Sequence, residues 1–415
     1  MTDTAVHPDS AVHPEIGSPG LAGTSVPPGE YVARARRIAP IIEAEAGAME
    51  RECTITAPVV EALRENDLFW MLVPREYGGA GIGIVPALKA IEELARADGS
   101  TGWAVMANAF SMGIAAGFMG EEGAREIFGG EVRGITAGMI LPTGRGVRVR
   151  EGDTDGFRVD GRYGFASGSA HADWIGAGFV IHDDDGNPLS DDDGQPLCRV
   201  AFVPREQVTF LGGWDVMGMA ATGSDDYEVE GVFVPESRTM DTFSTVPVRS
   251  EPVYKLGLLG IGVGGHGPVV LGIAQRALEE VATLTSARGR PGYPTVVADA
   301  QMFRREFVTH EASLRAARHL VYAAHAEAEE TAAAGREITD EQRARLRQVT
   351  TWVQGVARDI VTFAFSWGGS GAFRNPSALG RCLRDVSTGA NHVLVEPMTL
   401  VDAADQILPR YVRQK

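Results

Sequence analysis

Cysteine is scarce in this sequence: three residues in 415, Cys53, Cys198 and Cys382, far apart and in no C-x-x-C pair. That argues against a disulfide framework and a zinc knuckle and predicts reduced thiols. Basic residues are also short, with 38 Lys and Arg against 55 Asp and Glu and a formal net charge of -17. Phosphate backbones need a basic surface, so no nucleic-acid partner is expected. Long apolar runs are missing too: none reaches the ~18 residues of a bilayer span. The N-terminus, MTDTAVHPDS, has neither a basic n-region nor an apolar h-region. The expectation is a cytoplasmic protein with no membrane segment.

What is present suffices for a large fold. At 44% hydrophobic residues the chain can bury an extensive core and divide into two or three domains. Residues 1–28 are rich in Pro, Gly, Ser and Thr without periodicity, which predicts a disordered tail. Over 29–132 the spacing is helical. Ile38, Ile41 and Ile42 share a face, Thr56 and Pro58 open a helix that Asn66 closes, and Ile84 to Ala97 forms another. Asp98-Gly99-Ser100-Thr101-Gly102-Trp103 then leads into a mostly apolar helix. From 133 to 245 the period falls to two, as in Val147-Arg148-Val149-Arg150, and successive strands without helices between them predict an antiparallel barrel or sandwich. Over 246–415 helical spacing returns, with a capping box at Thr339-Asp340-Glu341-Gln342. The fold class is α+β.

The period changes at the stretch from Gly212 to Arg238, which reads as a seam between a β module and an α module and a good place for a ligand. Tyr227, Val229, Val232 and Val234 alternate as a strand with a bulge at Gly231 and a stop at Pro235. Two other motifs are decoys. Gly260-Ile261-Gly262-Val263-Gly264-Gly265 satisfies G-x-G-x-x-G, with Glu279 and Glu280 about twenty residues on, but no βαβ unit surrounds it. It reads as a close-packed helix entry. Asp183-Asp184-Asp185-Gly186 and Asp191-Asp192-Asp193-Gly194 lack the spacing of a calcium loop, so a solvated hairpin and no metal site are expected.

The seam residues Trp214-Asp215-Val216-Met217-Gly218-Met219 and Thr222-Gly223-Ser224 resemble the acyl-CoA dehydrogenase superfamily, and most closely its two-component, group D flavin-dependent monooxygenase branch. The Tyr77-Gly78-Gly79-Ala80-Gly81 loop, the Asp98 to Trp103 turn and the R-x-x-R-D run from Arg381 to Asp385 extend that resemblance over about residues 30 to 405. It implies an N-terminal helical domain, a central antiparallel β-barrel, a C-terminal four-helix bundle, and a homotetramer or dimer of dimers. It also implies FAD or FMN in reduced form, supplied by a separate NAD(P)H:flavin reductase. Molecular oxygen would be the co-substrate, through a C4a-hydroperoxide, and an aromatic, polyketide-like or amino-sugar molecule the substrate.

Site residues follow from the same resemblance. Ser167, with Ser169 beside it, is expected at the flavin N5 edge and Trp174 against the ring, although the run from Ser167 to Trp174 also reads as a turn with a core tryptophan. Met139, Leu141 and Pro142 are expected to line the cofactor through their backbone, and Arg288 and the turn Gly368-Gly369 to meet its diphosphate and adenine arm across a subunit boundary. His392 stands near the place where dehydrogenases carry a glutamate, and the alternative glutamate position falls at Gly262. His392 is the expected catalytic base, its ordinary pKa of ~6.5 suiting proton transfer near neutrality, with a packed helix-turn histidine as the alternative. Asn108, Ser111 and Trp214 are candidate substrate contacts, and His171 is expected to face solvent or the barrel wall. Two rival functions stay open: an acyl-CoA or acyl-carrier-protein dehydrogenase with an unconventional base, and a flavin-free binding homologue.

Overall fold

The structure is a computed structural model that describes Pro27 and residues 29–413. The tail expected over residues 1–28 therefore lies outside the described residues, Pro27 apart. Five helices come first: α1 (Glu30–Glu52), α2 (Ala57–Glu65), α3 (Ile84–Ala97), α4 (Gly99–Phe118) and α5 (Glu121–Phe128). Thr56 and Asn66 flank α2 as the sequence predicts. In α1, Ile38 and Ile42 are buried with Tyr31, Ala35, Ala39, Ala46 and Met49, but Ile41 is exposed, because at about 100° per residue it falls about 60° beyond Ile38, outside the stripe those residues form. Helix α4 is apolar all round and buried along nearly its whole length, so it threads the core, and the Asp98 carboxylate caps it by accepting from Thr101 N at 2.9 Å.

Seven strands follow: β1 (Thr136–Glu151), β2 (Thr154–Tyr163), β3 (Trp174–His182), β4 (Cys198–Pro204), β5 (Thr209–Gly212), β6 (Asp226–Pro235) and β7 (Thr239–Asp241). Their order across the sheet is β5-β6-β2-β1-β3-β4-β7. The expected closed antiparallel barrel is not formed. β5 and β7 are opposite edges, and β1 pairs with β3 in parallel. The physical reason is that β2 returns the chain to the end where β1 began; β3 then adds to the free side of β1, so the two run the same way. The bulge at Gly231 is present: two residues of β6 oppose one of β2, Gly231 has φ 57°, and its N–H donates to Asp160 Oδ1 at 2.7 Å.

The last part holds α6 (His266–Ala287), α7 (Gln301–Ala333), α8 (Asp340–Gly368), the single turn α9 (Ser370–Phe373), α10 (Ala378–Gly389) and α11 (Thr399–Ile407). Among the described residues these are six helices rather than four, gathered on α8, which touches α6, α7, α10 and α11. The capping box opens α8 with both reciprocal bonds made. Just before α6, Leu259–Val263 forms a π-helical turn. The dinucleotide-like glycines sit in and after it, where a Cβ on Gly265 would collide with Phe110 and one on Gly264 with His325. Close packing, not phosphate binding, accounts for them. The acidic turns between β3 and β4 are exposed, and Asp183 and Asp191 accept from the backbone of Asn187 and Gln195, each at 2.8 Å. Among the described residues no helix is long and apolar enough to cross a membrane.

Candidate active site

The seam runs over α10. An added Cβ on Gly218 would collide with the carbonyl of Arg384, so only glycine permits this approach, and Met219, at φ 57°, turns its N–H onto Asp385 Oδ1 at 2.7 Å. From Met219 a line of hydroxyls leads back to Ser167. Thr222 Oγ1 lies 2.8 Å from Met219 O, Ser224 Oγ 2.7 Å from Thr222 Oγ1, and Ser167 Oγ 2.7 Å from Ser224 Oγ. A carbonyl can only accept, so Thr222 donates to it, Ser224 donates to Thr222, and Ser167 donates to Ser224. Trp103 Nε1 donates to Ser167 Oγ at 3.3 Å. Ser167 thus has its hydrogen committed and one lone pair left as an acceptor.

Trp103 also gathers two imidazoles. Its ring lies edge-on to His266 and His392, with centroids at 5.0 and 5.6 Å, and the two histidines are 4.6 Å apart. Burial pushes His392 down to about 4; His266 falls to about 3, again chiefly by burial, with His392 adding to the shift. Both are neutral near pH 7, so the unperturbed value expected for His392 does not hold. His266 escaped the sequence reading altogether. It directly follows the glycine run and a π turn, which leaves no trace in hydrophobic periodicity.

The other candidates divide into groups. Ile140–Thr143 of β1 lies out of register between the pairs Met139↔Ala177 and Gly144↔Phe179, which leaves the backbone of Leu141 and Thr143 outside the register with β3. The Met139 amide, by contrast, donates to Tyr227 Oη at 2.8 Å and is already taken, and Pro142 has no N–H to give. Ser169 is buried, with its carbonyl held by Arg205. Trp174 opens β3 beneath the Arg238 guanidinium, 5.6 Å from the ring centroid, and packs near Gly134. Asn108 is fully buried: Nδ2 donates to Thr136 O at 2.9 Å and Oδ1 accepts from His171 Nε2 at 2.8 Å. That makes Asn108 a clamp on the framework rather than a substrate contact. His171 is half-buried, with its Nδ1 sealed and unpartnered, and burial together with Arg64 and Arg205 holds it down to about 4. Ser111 accepts from Thr136 Oγ1 at 2.7 Å. Trp214 donates to Met219 O at 3.2 Å and meets exposed Phe165 edge-on at 6.2 Å, which sets it at the rim. Arg288, Gly368 and Gly369 lie at the far end of α6, roughly 33 Å of helix from His266 at 1.5 Å per residue. Arg288 packs against Gly371 there.

Family models give the outcome of comparison with known proteins. The acyl-CoA dehydrogenase N-terminal domain matches residues 33–127 and the acyl-CoA dehydrogenase C-terminal domain residues 264–397, together more than half of the chain. The chain belongs to the acyl-CoA dehydrogenase family. Among its relatives, the indole-3-acetate monooxygenase of Pseudomonas putida is 29% identical over 374 residues, covering 89% of this chain and 92% of that protein. The oxygenase subunit of a flavin-dependent monooxygenase, HsaA, from Rhodococcus jostii is 26% identical over 348 residues, covering 81% and 87%. In fold the chain is similar to XiaF from Streptomyces sp., solved with FADH2 and glycerol, with a TM-score of 0.82, 22% identity, and coverage of 93% and 97%.

Proposed function

We propose that the protein is the oxygenase component of a two-component flavin-dependent monooxygenase that accepts reduced flavin from a separate reductase and oxygenates a small aromatic molecule. The observation that carries this reading is the composition of the site: one hydroxyl with a free acceptor lone pair, two neutral imidazoles and a tryptophan edge, with no carboxylate hydrogen-bonded to the rings among the described residues. The two carboxylates close by, Asp98 and Asp385, are buried behind the seam and turned onto Thr101 and Met219. A dehydrogenase needs a base for a thioester α-proton; Gly262, the other position considered, has no side chain to supply one. The names of the Pseudomonas and Rhodococcus relatives point the same way.

The residues present fit a reduced flavin. Reduced flavin carries a hydrogen on N5, and Ser167 Oγ retains just the acceptor such a hydrogen requires, since its own proton is directed to Ser224. The backbone of Leu141 and Thr143, outside the register with β3, offers amides to the ring's polar edge, with Trp174 on the neighbouring strand. When bound, the reduced flavin would supply the electrons that activate oxygen, one atom going to the substrate and the other to water. The chain's own part is positional. Ser167 holds a proton at N5, the apolar α4 and Trp103 exclude water, and His392 orients the substrate.

Arg288, Gly368 and Gly369 are too far along α6 to meet the same ring within one chain, so we assign them to a neighbouring copy's cofactor arm in a homotetramer. The exposed Met398, Val401, Leu408 and Tyr411 give such an assembly an apolar face to cover. Domain boundaries at 132/133 and 245/246 belong to the same proposal. Anaerobic titration with oxidised and reduced flavin tests the function. Tighter uptake of the reduced form, followed by substrate oxygenation on adding air, is expected; bleaching of bound oxidised flavin by an acyl thioester overturns it.

A further inference from the structure

Ser167 ends a chain of three hydroxyls whose hydrogens all point one way, and the end that sets the direction is sealed inside the protein. Thr222 and Ser224 each keep only 2% of their surface exposed, so solvent does not compete for their hydrogens, whereas Ser167 is half-buried and follows the exposed Phe165 by two residues. The Met219 carbonyl fixes the sense. It accepts from Thr222 Oγ1 at 2.8 Å, from Thr222 N at 3.2 Å and from Trp214 Nε1 at 3.2 Å, and a carbonyl oxygen has no hydrogen to return. Two backbone bonds hold the facing segments in step on either side of the Ser167–Ser224 contact: Gly168 N donates to Thr222 O at 2.8 Å and Ala166 N to Asp225 O at 3.1 Å. Reversing the three hydroxyls would leave Thr222 Oγ1 and Met219 O 2.8 Å apart with no hydrogen between them.

We propose that Thr222 and Ser224 are positioning residues through which the site selects the redox state of its flavin, holding the reduced form and releasing the oxidised one. The inference rests on the monooxygenase reading for the placing of flavin N5 at Ser167, not for the reaction. Reduced flavin has a hydrogen on N5, a donor that matches the one lone pair Ser167 has left. Oxidised flavin has a bare lone pair there, and it meets an oxygen whose hydrogen is already directed to Ser224. Trp103 does not relieve the mismatch, because the single hydrogen of its indole nitrogen is spent on Ser167 Oγ. Only reversal of all three hydroxyls would give oxidised N5 a donor, and the loss then falls at Met219. A serine free to rotate would serve either state, so the selectivity belongs to the residues behind it. In a protein that takes in reduced flavin and must part with oxidised flavin, this asymmetry gives the exchange its direction.

Anaerobic titration of the full chain with FMN and FAD, each oxidised and dithionite-reduced, gives the ratio of the two dissociation constants. The wild type should favour the reduced form by about tenfold or more, the scale of one net hydrogen bond made in one state and denied in the other. Thr222→Val keeps the shape and removes the hydrogen that Met219 receives, so Ser224 can turn its own toward Ser167; the ratio should fall about tenfold, mainly through tighter binding of the oxidised form. Thr222→Ser should restore it. Ser224→Ala, which takes away the acceptor for the Ser167 hydrogen, should act as Thr222→Val does and provides a second variant should the first fold poorly. A purely structural role would weaken both redox states alike and leave the ratio unchanged. An unchanged ratio in Thr222→Val and Ser224→Ala, with reduced flavin still taken up, overturns this proposal alone. A ratio that falls in those variants, together with bleaching of bound oxidised flavin by an acyl thioester, sinks the monooxygenase reading alone. Equal uptake of the two states by the wild type, or uptake of neither, overturns both.

Discussion

Two buried ionisable pairs flank the end of α10, and they behave in opposite ways. The carboxylates Asp98 and Asp385 tie three parts of the chain together: Asp98 caps α4 through Thr101 N and Oγ1, and Asp385 holds Met219 of the seam. Burial raises both, and the neighbouring Asp98 raises Asp385 further, to about 7. The imidazoles His266 and His392 are lowered by the same burial, and each makes its hydrogen bond through Nδ1, leaving Nε2 without a partner among the described residues. Where hydrogen bonds within the chain use the group, it holds the architecture; where valence is left over, the group is available for chemistry. Burial or a perturbed pKa alone would have ranked the carboxylates first.

Substitutions can break this contrast. Asp385→Ala should lower stability by about 2–4 kcal/mol, from a cavity and an unsatisfied Met219 N–H, whereas Asp385→Asn, which keeps an acceptor, should cost under about 1.5 kcal/mol. Urea denaturation of both variants measures this, and equal losses would remove the acceptor role. His392→Ala should leave folding and flavin uptake intact yet reduce oxygenated product about 10²-fold, with hydrogen peroxide released instead. Quantifying product and peroxide side by side checks it; unchanged coupling would make His392 a packing residue.

The pairs also pull stability in opposite directions with pH. The folded state holds the Asp385 proton more tightly than the unfolded chain, so its contribution is complete below the ordinary carboxylate range and is lost as pH rises toward about 7. The histidines contribute fully above their ordinary value near ~6.5, and that stability is lost as pH falls toward about 4 for His392 and about 3 for His266. Denaturation curves from pH 4.5 to 7.5 should therefore rise more steeply with pH in Asp385→Asn than in the wild type, and less steeply in His266→Leu. A parallel set of curves would mean the shifts are absent. At the small end, Asp192→Ala in the exposed hairpin should change stability by less than about 0.5 kcal/mol, with or without added calcium.

The helices were legible because their signals are local. Thr56 and Asn66 mark both ends of α2, and Thr339 with Gln342 marks the start of α8. The Gly231 bulge was legible for the same reason. Sheet closure and strand direction were not, because whether β3 adds beside β2 or beyond β1 depends on pairing energies that a period of two does not encode. At the site, Ser167 and His392 are candidates named through a family likeness, and the structure adds the direction of their hydrogens. Asn108 misled because a polar residue in an apolar helix suggests a ligand, whereas here it meets His171 and the Thr136 carbonyl. Arg288 is a matter of distance, which sequence order along α6 hides.

The π turn at Leu259–Val263 has a consequence for how such a site changes over generations. A π turn is an α-helix with one residue inserted, so its register advances the following side chain by about 100° about the helix axis. Loss of a single codon there, for instance that of Gly262, would turn α6, with His266 at its start, by about 100° relative to the segment that precedes the turn. The placing of His266 is thus open to a one-residue length change, a route that comparison of aligned substitutions does not register.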